Sequence, residues 1–416
     1  MQKYYRIPLL FFFLAAGFGL FLRWQFVVPT PGVRYTFFLH AHSHLMFLGW
    51  VFNVLYLSFI EHNLPEKGRK NYLIFFLALQ PLVIAMMISF PIQGYGVFSI
   101  IFSTVHTLAV MAFIPVFFRN TRHDRRVSTW FARAALIFFF ISTAGPFSLG
   151  YLMSNDLGQT VWYNFSIYYY LHFQYNGFFL FGVISLFFQL LEKKKITFSS
   201  EHALKFGKWM AAACVPAYAL SILFAKPGIA YNIMGALAAI AQLAALGIFV
   251  RLLGSIRTIM SQRFSALAAK IFQLVMMALI LKSILQLVSA QPEIAEFAYS
   301  VRPVVIAYLH LVLIGVITLF LLAWYYERNL VNKRGARWAI ALLLSGFATS
   351  EACLALIPWW SAVVGKGIDS SVIIFLVSIL MLAGALVFYL AFKSLPASVE
   401  ALELGNGKTD KNQFFR

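Results

Sequence analysis

A succession of long apolar segments limits what this chain can fold into more than any other feature. The chain of 416 residues is 61% hydrophobic and only 11% charged, and its mean hydropathy is +0.80. These values lie outside the range of soluble domains and predict a polytopic membrane protein. Because about 20 apolar residues cross a bilayer as a helix, we predict an all-α bundle of twelve transmembrane helices, near residues 7–28, 36–60, 72–91, 95–118, 129–153, 164–190, 209–225, 229–253, 266–289, 300–325, 338–361 and 372–394.

The distribution of basic residues predicts the orientation of this bundle. The formal net charge is +19, but Lys and Arg form short clusters between apolar segments, which argues against nucleic acid as a partner. These clusters lie in the connectors that begin at Glu61, Arg119, Glu192, Arg251 and Glu327. The positive-inside rule therefore predicts a multi-pass protein of a bacterial-type inner (cytoplasmic) membrane, with both termini in the cytoplasm.

The remaining sequence suggests one compact unit. Residues 1–28 lack a small-residue cleavage site, so we expect a retained first helix and not a signal peptide. Cys214 and Cys353 lie in separate apolar segments without CxxC spacing, which indicates neither a disulfide framework nor a cysteine metal site. No internal repeat is evident. We predict a transmembrane domain over 1–396 and a cytoplasmic tail over 397–416.

Six histidines lie inside the predicted spans. An imidazole without a partner in hydrocarbon costs several kcal/mol, so these histidines predict a functional site, and neutral imidazole is the commonest metal ligand. With the predicted orientation, four of them fall roughly 12–17 Å below the outer ends of their helices, at 1.5 Å per residue. The six are His40, His42 and His44 in the second span, His106 in the fourth, His172 in the sixth and His310 in the tenth. His62, His123 and His202 fall in basic connectors, where we expect solvated surface side chains.

The spacing in the second span predicts that this helix serves two sites. Successive residues advance about 100° around a helix, so His40 and His44 share one face while His42 points nearly the opposite way. Two imidazoles on opposite sides of a porphyrin form a six-coordinate, electron-transferring heme, and one imidazole with an open position opposite forms a heme that binds a gas. Copper or another transition metal is an alternative ligand. For any one histidine, a hydrogen bond to a neighbouring helix is an equally good explanation.

Charged residues near this histidine layer extend the hypothesis. Arg23, Arg34 and Arg302 lie at outer helix ends, where they would either meet the propionates of an upright heme or reach the lipid headgroups. Lys282 and Glu351 lie deeper, where an unpaired charge is costly. We expect these two to pair with each other or to carry protons.

Together these residues resemble the catalytic subunit, subunit I, of heme-copper oxidases and nitric oxide reductases. That family also has twelve helices, with histidines on helices 2, 6 and 10. The segment from His172 to Leu180 is similar to the helix-6 segment that supplies a copper-ligating histidine, and Tyr308-Leu309-His310 resembles the helix-10 His-x-His pair. The resemblance implies a low-spin heme bound by His310 and by His42 or His44, and we favour His44 because its depth is closer to that of His310.

The chain also departs from the family pattern. Tyr308 stands where the family has the histidine of the gas-reactive heme, and the segment 209–218 lacks the histidine pair that completes the copper site. The extra histidines of the second span and His106 are closer to NnrS-type membrane hemoproteins, which are implicated in nitric oxide stress. We expect His106 and His172 to contribute to a second metal site, separate from the one that uses His310.

The resemblance thus implies electron transfer, or the binding or reduction of a small gas such as oxygen or nitric oxide. It implies one or two hemes, at least one of them low-spin and b-type, with copper as an alternative, and cytochrome c or quinol as the electron donor. The residues expected around the heme are His42, His44, His310, Arg302 and Tyr308, and the metal ligands are expected among the six histidines. Two other functions remain open, a twelve-helix secondary transporter with Lys282 and Glu351 as coupling groups, and a copper or other metal carrier without porphyrin.

Overall fold

The computed structural model describes residues 1–364 and 369–393. Within these residues the chain is helical without a β-strand, and eleven helices are long and apolar enough to cross a membrane, which confirms an all-α polytopic membrane protein. The predicted tail, 397–416, lies outside the described residues. In chain order the helices are α1 Gln2–Val27, α2 Tyr35–His62, α3 Arg69–Gln93, α4 Val97–Thr121, α5 Val127–Ser154, α6 Val161–Lys193, α7 Ser200–Cys214, α8 Ile229–Arg263, α9 Ala266–Val288, α10 Arg302–Glu327, α11 Lys333–Trp359 and α12 Ser370–Leu390.

The seventh helix differs from the prediction of a span over 209–225. Helix α7 has only 15 residues, fewer than the roughly 20 that a full crossing needs. It ends before Pro216, because a proline inside a helix removes a hydrogen bond and clashes with the preceding turn, and the chain continues as a 3-10 helix, Pro216–Ser221. Lys226 then forms an ion pair with Glu296 of the α9–α10 connector. The segment therefore reaches the far end of the bundle, but a count of twelve spanning α-helices is not confirmed.

Helices α2, α6 and α10 contact one another at the centre of the bundle and share one local pattern. Each is α-helical up to a histidine, continues as a π-helix of seven or eight residues and then returns to α-helix. A π-helical segment is rare and is frequent at functional sites. Each histidine is also followed five residues later by a glycine, giving the pairs His44 and Gly49, His172 and Gly177, and His310 and Gly315. These three pairs form a sparse internal pattern that is not evident from the sequence as a whole.

Ion pairs join the three central helices into a ring at the end of the bundle that holds the N-terminus. In each pair, a basic residue at the end of one central helix contacts the last glutamate of the next one. The pairs are Arg328 with Glu61 at 2.6 Å, His62 with Glu192 at 3.1 Å and Lys194 with Glu327 at 2.6 Å. His62, expected as a solvated surface residue, is thus part of this ring, with a side chain that is only 21% exposed.

The same glutamates also hold the outer helices. Each accepts a hydrogen bond from a hydroxyl close to the start of an outer helix, from Tyr5 for α1, Ser128 for α5 and Ser265 for α9. One set of contacts therefore recurs every four helices, in α1–α4, α5–α8 and α9–α12. We refer to this arrangement as the threefold repeat.

Packing along the central helices changes at the histidines. From Leu45 in α2, His172 in α6 and Gly315 in α10 towards the N-terminal end of the bundle, nearly every residue is buried. Towards the far end, most residues of the same helices are only half-buried. The histidines therefore lie at the boundary between a closely packed half and a more open half.

Candidate functional site

His42 of α2 and His310 of α10 lie on two central helices, within electrostatic range of each other. The Nδ1 atom of His42 lies 2.8 Å from the carbonyl oxygen of Ala15 on α1, and Nδ1 of His310 lies 3.0 Å from Oε1 of Glu351 on α11. A carbonyl oxygen only accepts hydrogen bonds, so Nδ1 of His42 carries the proton and its Nε2 keeps a lone pair. The two imidazoles are half-buried and close enough to interact electrostatically.

Both imidazoles have an oxygen atom within hydrogen-bond distance of Nδ1. A metal-bound histidine usually donates one ring N–H to a carboxylate or a backbone carbonyl, which fixes the tautomer and the ring orientation and leaves the other nitrogen for the metal. In His42 and His310, Nδ1 has such an oxygen partner, and Nε2 has no hydrogen-bond partner among the described residues. These two Nε2 atoms are therefore available as ligands from two neighbouring helices.

Two arginines add positive charge on the more open side of this pair. Arg23 of α1 lies within electrostatic range of His42, Glu351 and Tyr35, and Arg302, the first residue of α10, lies within range of Tyr35. Arg23 therefore lies beside the pair, whereas Arg302 lies near Tyr35, the first residue of α2. The third predicted arginine differs, since Arg34 is exposed and lies over the ring of Phe37 at 5.2 Å.

The structure separates the two deep charges that we expected to pair. Glu351 contacts His310 and lies within range of Arg23, so its charge is balanced inside the site. Lys282 of α9 is 2% exposed and lies near Cys214 and His172 in another part of the bundle. Of the two alternatives for these residues, the pairing of Lys282 with Glu351 is therefore wrong, and proton transfer by either residue stays a prediction.

The opposite face of α2 carries a second set of aromatic and imidazole rings. Nδ1 of His44 lies 2.9 Å from the carbonyl oxygen of His40. The ring of His40 lies 4.4 Å from that of Tyr95, and the ring of His44 lies 4.2 Å from that of Phe90 on α3. This confirms that His40 and His44 share a face that is distinct from the face of His42.

His106 of α4 joins this second face. Its imidazole is 0% exposed, and neither ring nitrogen has a hydrogen-bond partner. The ring of Phe52 packs against it at 5.3 Å, and His44 lies within electrostatic range. The one ring contact of His106 among the described residues is therefore with Phe52 of α2.

His172 of α6 is engaged through both ring nitrogens. Nε2 lies 2.8 Å from the carbonyl oxygen of Cys214, and Nδ1 lies 3.2 Å from the amide nitrogen of Asn176. The helix break at Pro216 explains the first contact, since the N–H of Tyr218 donates to Val215 and leaves the Cys214 carbonyl for His172. The joint metal site of His106 and His172 stays a prediction, but this geometry gives His172 a structural role.

Tyr308 takes the position two residues before His310 on α10. Its hydroxyl is buried without a hydrogen-bond partner, and Tyr175 of α6 lies within electrostatic range. Tyr308 therefore lines a region between α6 and α10 that differs from the His42–His310 region.

The site consists of separate imidazoles and not of a preformed cluster of metal ligands. Among the described residues, no group of three or more His, Cys, Asp or Glu side chains is arranged to hold a metal ion. A pair of imidazoles from two helices can instead hold a heme. No protein-family model matches the chain, and no curated protein is significantly similar to it.

Proposed function

We propose that this protein binds heme in the membrane and acts in electron transfer or in the binding or reduction of a small gas, oxygen or nitric oxide. In this proposal, His42 and His310 would hold one low-spin heme. The observation that carries the proposal is the pair of neighbouring imidazoles whose Nδ1 atoms are held by oxygen acceptors and whose Nε2 atoms are free. A heme iron held between two imidazoles takes up and releases single electrons.

The surroundings of the pair fit a porphyrin. Arg23 and Arg302 supply cations on the more open side, where propionates are stabilised by charge-assisted hydrogen bonds. Aromatic rings line the neighbouring α1–α2 contact, with Phe38 at 6.1 Å from Phe18 and 4.7 Å from Phe21. Flat apolar rings of this kind suit the faces and edges of a macrocycle.

The proposal takes His42 in place of His44 as the ligand from α2. Depth alone favours His44, but depth does not report which neighbour a side chain faces. His42 lies within electrostatic range of His310, whereas the contacts of His44 are with α3 and α4. Rotation by about 200° between positions two residues apart accounts for this difference.

The residues around the pair have separate roles in this proposal. The Ala15 carbonyl and the Glu351 carboxylate hold protons on Nδ1 of His42 and His310, which keeps each Nε2 directed at the iron. Arg23 offsets the charge of Glu351. Tyr308 supplies a phenol where the similar family has a second imidazole, so the electron-transfer part of that family's chemistry is better supported than its oxygen-reducing centre. Cytochrome c or quinol is the proposed class of electron donor.

The arrangement gives less support to a secondary transporter. Transporters of this size are commonly built from two similar halves around a midplane site, whereas this chain has a threefold repeat of contacts at one end. Glu351, proposed as a coupling group for a transporter, is bound to His310.

The test is the optical spectrum of the protein purified in detergent. We expect a low-spin heme signal that copurifies with the wild type and is abolished by His310→Ala and by His42→Ala. His44→Ala and the control His123→Ala, a change at an exposed histidine, should retain it. A wild-type protein without heme after expression with excess heme would refute the function. Loss of the signal in His44→Ala together with its retention in His42→Ala would refute the choice of ligand.

A further inference from the structure

An apolar groove opens between α7 and α8 on the outside of the bundle. Its volume is about 600 Å³, within the range of roughly 300–1,000 Å³ that is typical of ligand sites. The groove exists because α7 ends before Pro216 and because small alanine side chains line both of its walls. Trp209, Ile233 and Leu237 also line it, and each is more than half exposed. In a membrane, this groove would be filled by something apolar.

Two lysines lie on the side of α7 that leads into the groove. Lys205 and Lys208 are exposed, and each lies one helical turn before a residue that lines the groove, Trp209 and Ala212 respectively. Residues four positions apart share one face of a helix. The cations are therefore about 6 Å along the helix axis from the groove, at 1.5 Å per residue.

Arg251 of α8 lies at the same level as these lysines. The ring of Phe206 on α7 stacks on that of Phe249 on α8, with centroids 4.4 Å apart and planes at 8°. Lys205 and Arg251 are within two positions of these stacked rings, and both are exposed. The two helices therefore bring basic residues together at one end of the groove.

This level matches the boundary of a bilayer. Nζ of Lys194 donates to the carbonyl oxygen of Arg263 at 2.9 Å, so α8 ends where the ring of ion pairs lies and begins, at Ile229, at the far end. Arg251 lies about 33 Å from Ile229 along the helix axis, and the hydrocarbon core is about 30 Å thick. Arg251 is therefore at the depth of the lipid headgroups, and Trp209 is at the interface, where tryptophan is enriched.

The three cations have no partner in the described part of the chain. Lys205, Lys208 and Arg251 form neither an ion pair nor a side-chain hydrogen bond there. Glu201, one turn before Lys205, is exposed and forms no ion pair with it. The mouth of the groove therefore carries an excess of positive charge, which an anionic ligand would complement.

We propose that the groove between α7 and α8 binds one anionic phospholipid from the leaflet at the N-terminal end of the bundle. Its phosphate lies among Lys205, Lys208 and Arg251, and one acyl chain fills the apolar groove. Basic pockets between transmembrane helices bind the headgroups of anionic lipids in this way. The site lies outside the bundle and does not depend on the proposed heme.

The first experiment is a titration of the purified, delipidated protein with phosphatidylglycerol, followed by native mass spectrometry. We expect one lipid to bind more tightly than phosphatidylcholine, which has no net charge. A basic residue near an anionic lipid contributes roughly fivefold in affinity, so Lys205→Gln with Lys208→Gln should weaken binding about 25-fold. Lys67→Gln with Lys70→Gln removes two exposed charges from another connector and should have no effect. Equal affinity for both lipids, or an equal loss in both double variants, would overturn the proposal.

A second set of measurements tests the groove itself. Ala212→Leu places a larger side chain in the groove and should weaken the binding of phosphatidylglycerol, whereas Ala341→Leu, at an exposed alanine of α11, should not. Glycerol phosphate, the headgroup without chains, should not displace the lipid at equal concentration. Displacement would mean that the cations bind a free anion and would overturn the proposal, as would unchanged binding in Ala212→Leu.

Thermal unfolding separates loss of the site from misfolding. Phosphatidylglycerol should raise the unfolding temperature of the wild type more than that of the variant with Lys205→Gln and Lys208→Gln, and without lipid the two proteins should unfold at similar temperatures. An equal rise in both proteins would mean that the stabilising lipid binds elsewhere and would overturn the proposal.

Discussion

Replacing Glu351 tests whether the His310 imidazole is held in place for a ligand. Glu351 Oε1 lies 3.0 Å from Nδ1 of His310, and the side chains of His310 and Glu351 are 27% and 17% exposed, so water only partly screens the contact. Partners of this kind typically contribute 10–100-fold to the affinity of a metal site, which is about 1.4–2.7 kcal/mol. Glu351→Gln keeps an oxygen acceptor and removes the charge, so we expect the smaller loss of heme affinity. Glu351→Leu removes both, so we expect the larger one.

The assay is a titration of the heme-free protein with hemin, followed by absorbance, with Glu293→Gln as a control at an exposed carboxylate. Glu351 is a positioning residue, so a second readout is needed that a merely structural role would not change. The reduction potential of the bound heme should rise in Glu351→Gln. The negative charge of Glu351 stabilises the ferric state, and the substitution removes that stabilisation. If Glu351→Leu binds heme within twofold of the wild type while His310→Ala does not bind it, the reasoning about Glu351 is wrong.

Two further predictions concern the scaffold. Reporter fusions at Gly94 and Lys195 should report opposite sides of the membrane, with Lys195 cytoplasmic, and the same answer from both would remove the basis for a common histidine layer. Glu61→Gln should lower the free energy of unfolding in detergent by about 3 kcal/mol, because it leaves Arg328, whose side chain is 8% exposed, without its charge partner. Lys226→Ala breaks an ion pair whose side chains are 72% and 64% exposed, so the free energy of unfolding should change by under about 1 kcal/mol. Similar losses of stability in the Glu61 and Lys226 variants would contradict this comparison.

Much of the fold could be predicted from the sequence, because apolar segments of membrane length are a strong signal. The exception at α7 has a local cause, since Pro216 ends the helix and the chain continues as 3-10 turns. The threefold repeat was missed because it resides in sparse positions, a histidine followed by a glycine five residues later and a glutamate at the end of each central helix. The repeat becomes visible when the three central segments are aligned on their histidines.

The candidate site was less predictable. Helical periodicity shows on which face of a helix a residue lies, but it does not show which residue of a neighbouring helix that residue contacts. Periodicity separated His42 from His44 correctly, yet the preference for His44 rested on depth, and it is His42 that lies within electrostatic range of His310. Glu351 was noticed as a deep charge, but nothing in the sequence relates it to a histidine 41 positions away. Similarly, the contact between His172 and a backbone carbonyl depends on the break in α7.

The threefold repeat explains how one helix comes to serve two sites. The position two residues before the repeated histidine is His42 in α2 but Tyr170 in α6 and Tyr308 in α10. Because positions two residues apart on a helix face nearly opposite ways, the repeated histidine and this second position face different neighbours in every repeat. A tyrosine there leaves α6 and α10 with one imidazole each, whereas a histidine gives α2 an imidazole on both faces, within electrostatic range of His310 on one and of His106 on the other. The scaffold thus sets the depth of the imidazoles, and this single position determines which helix carries them on two faces.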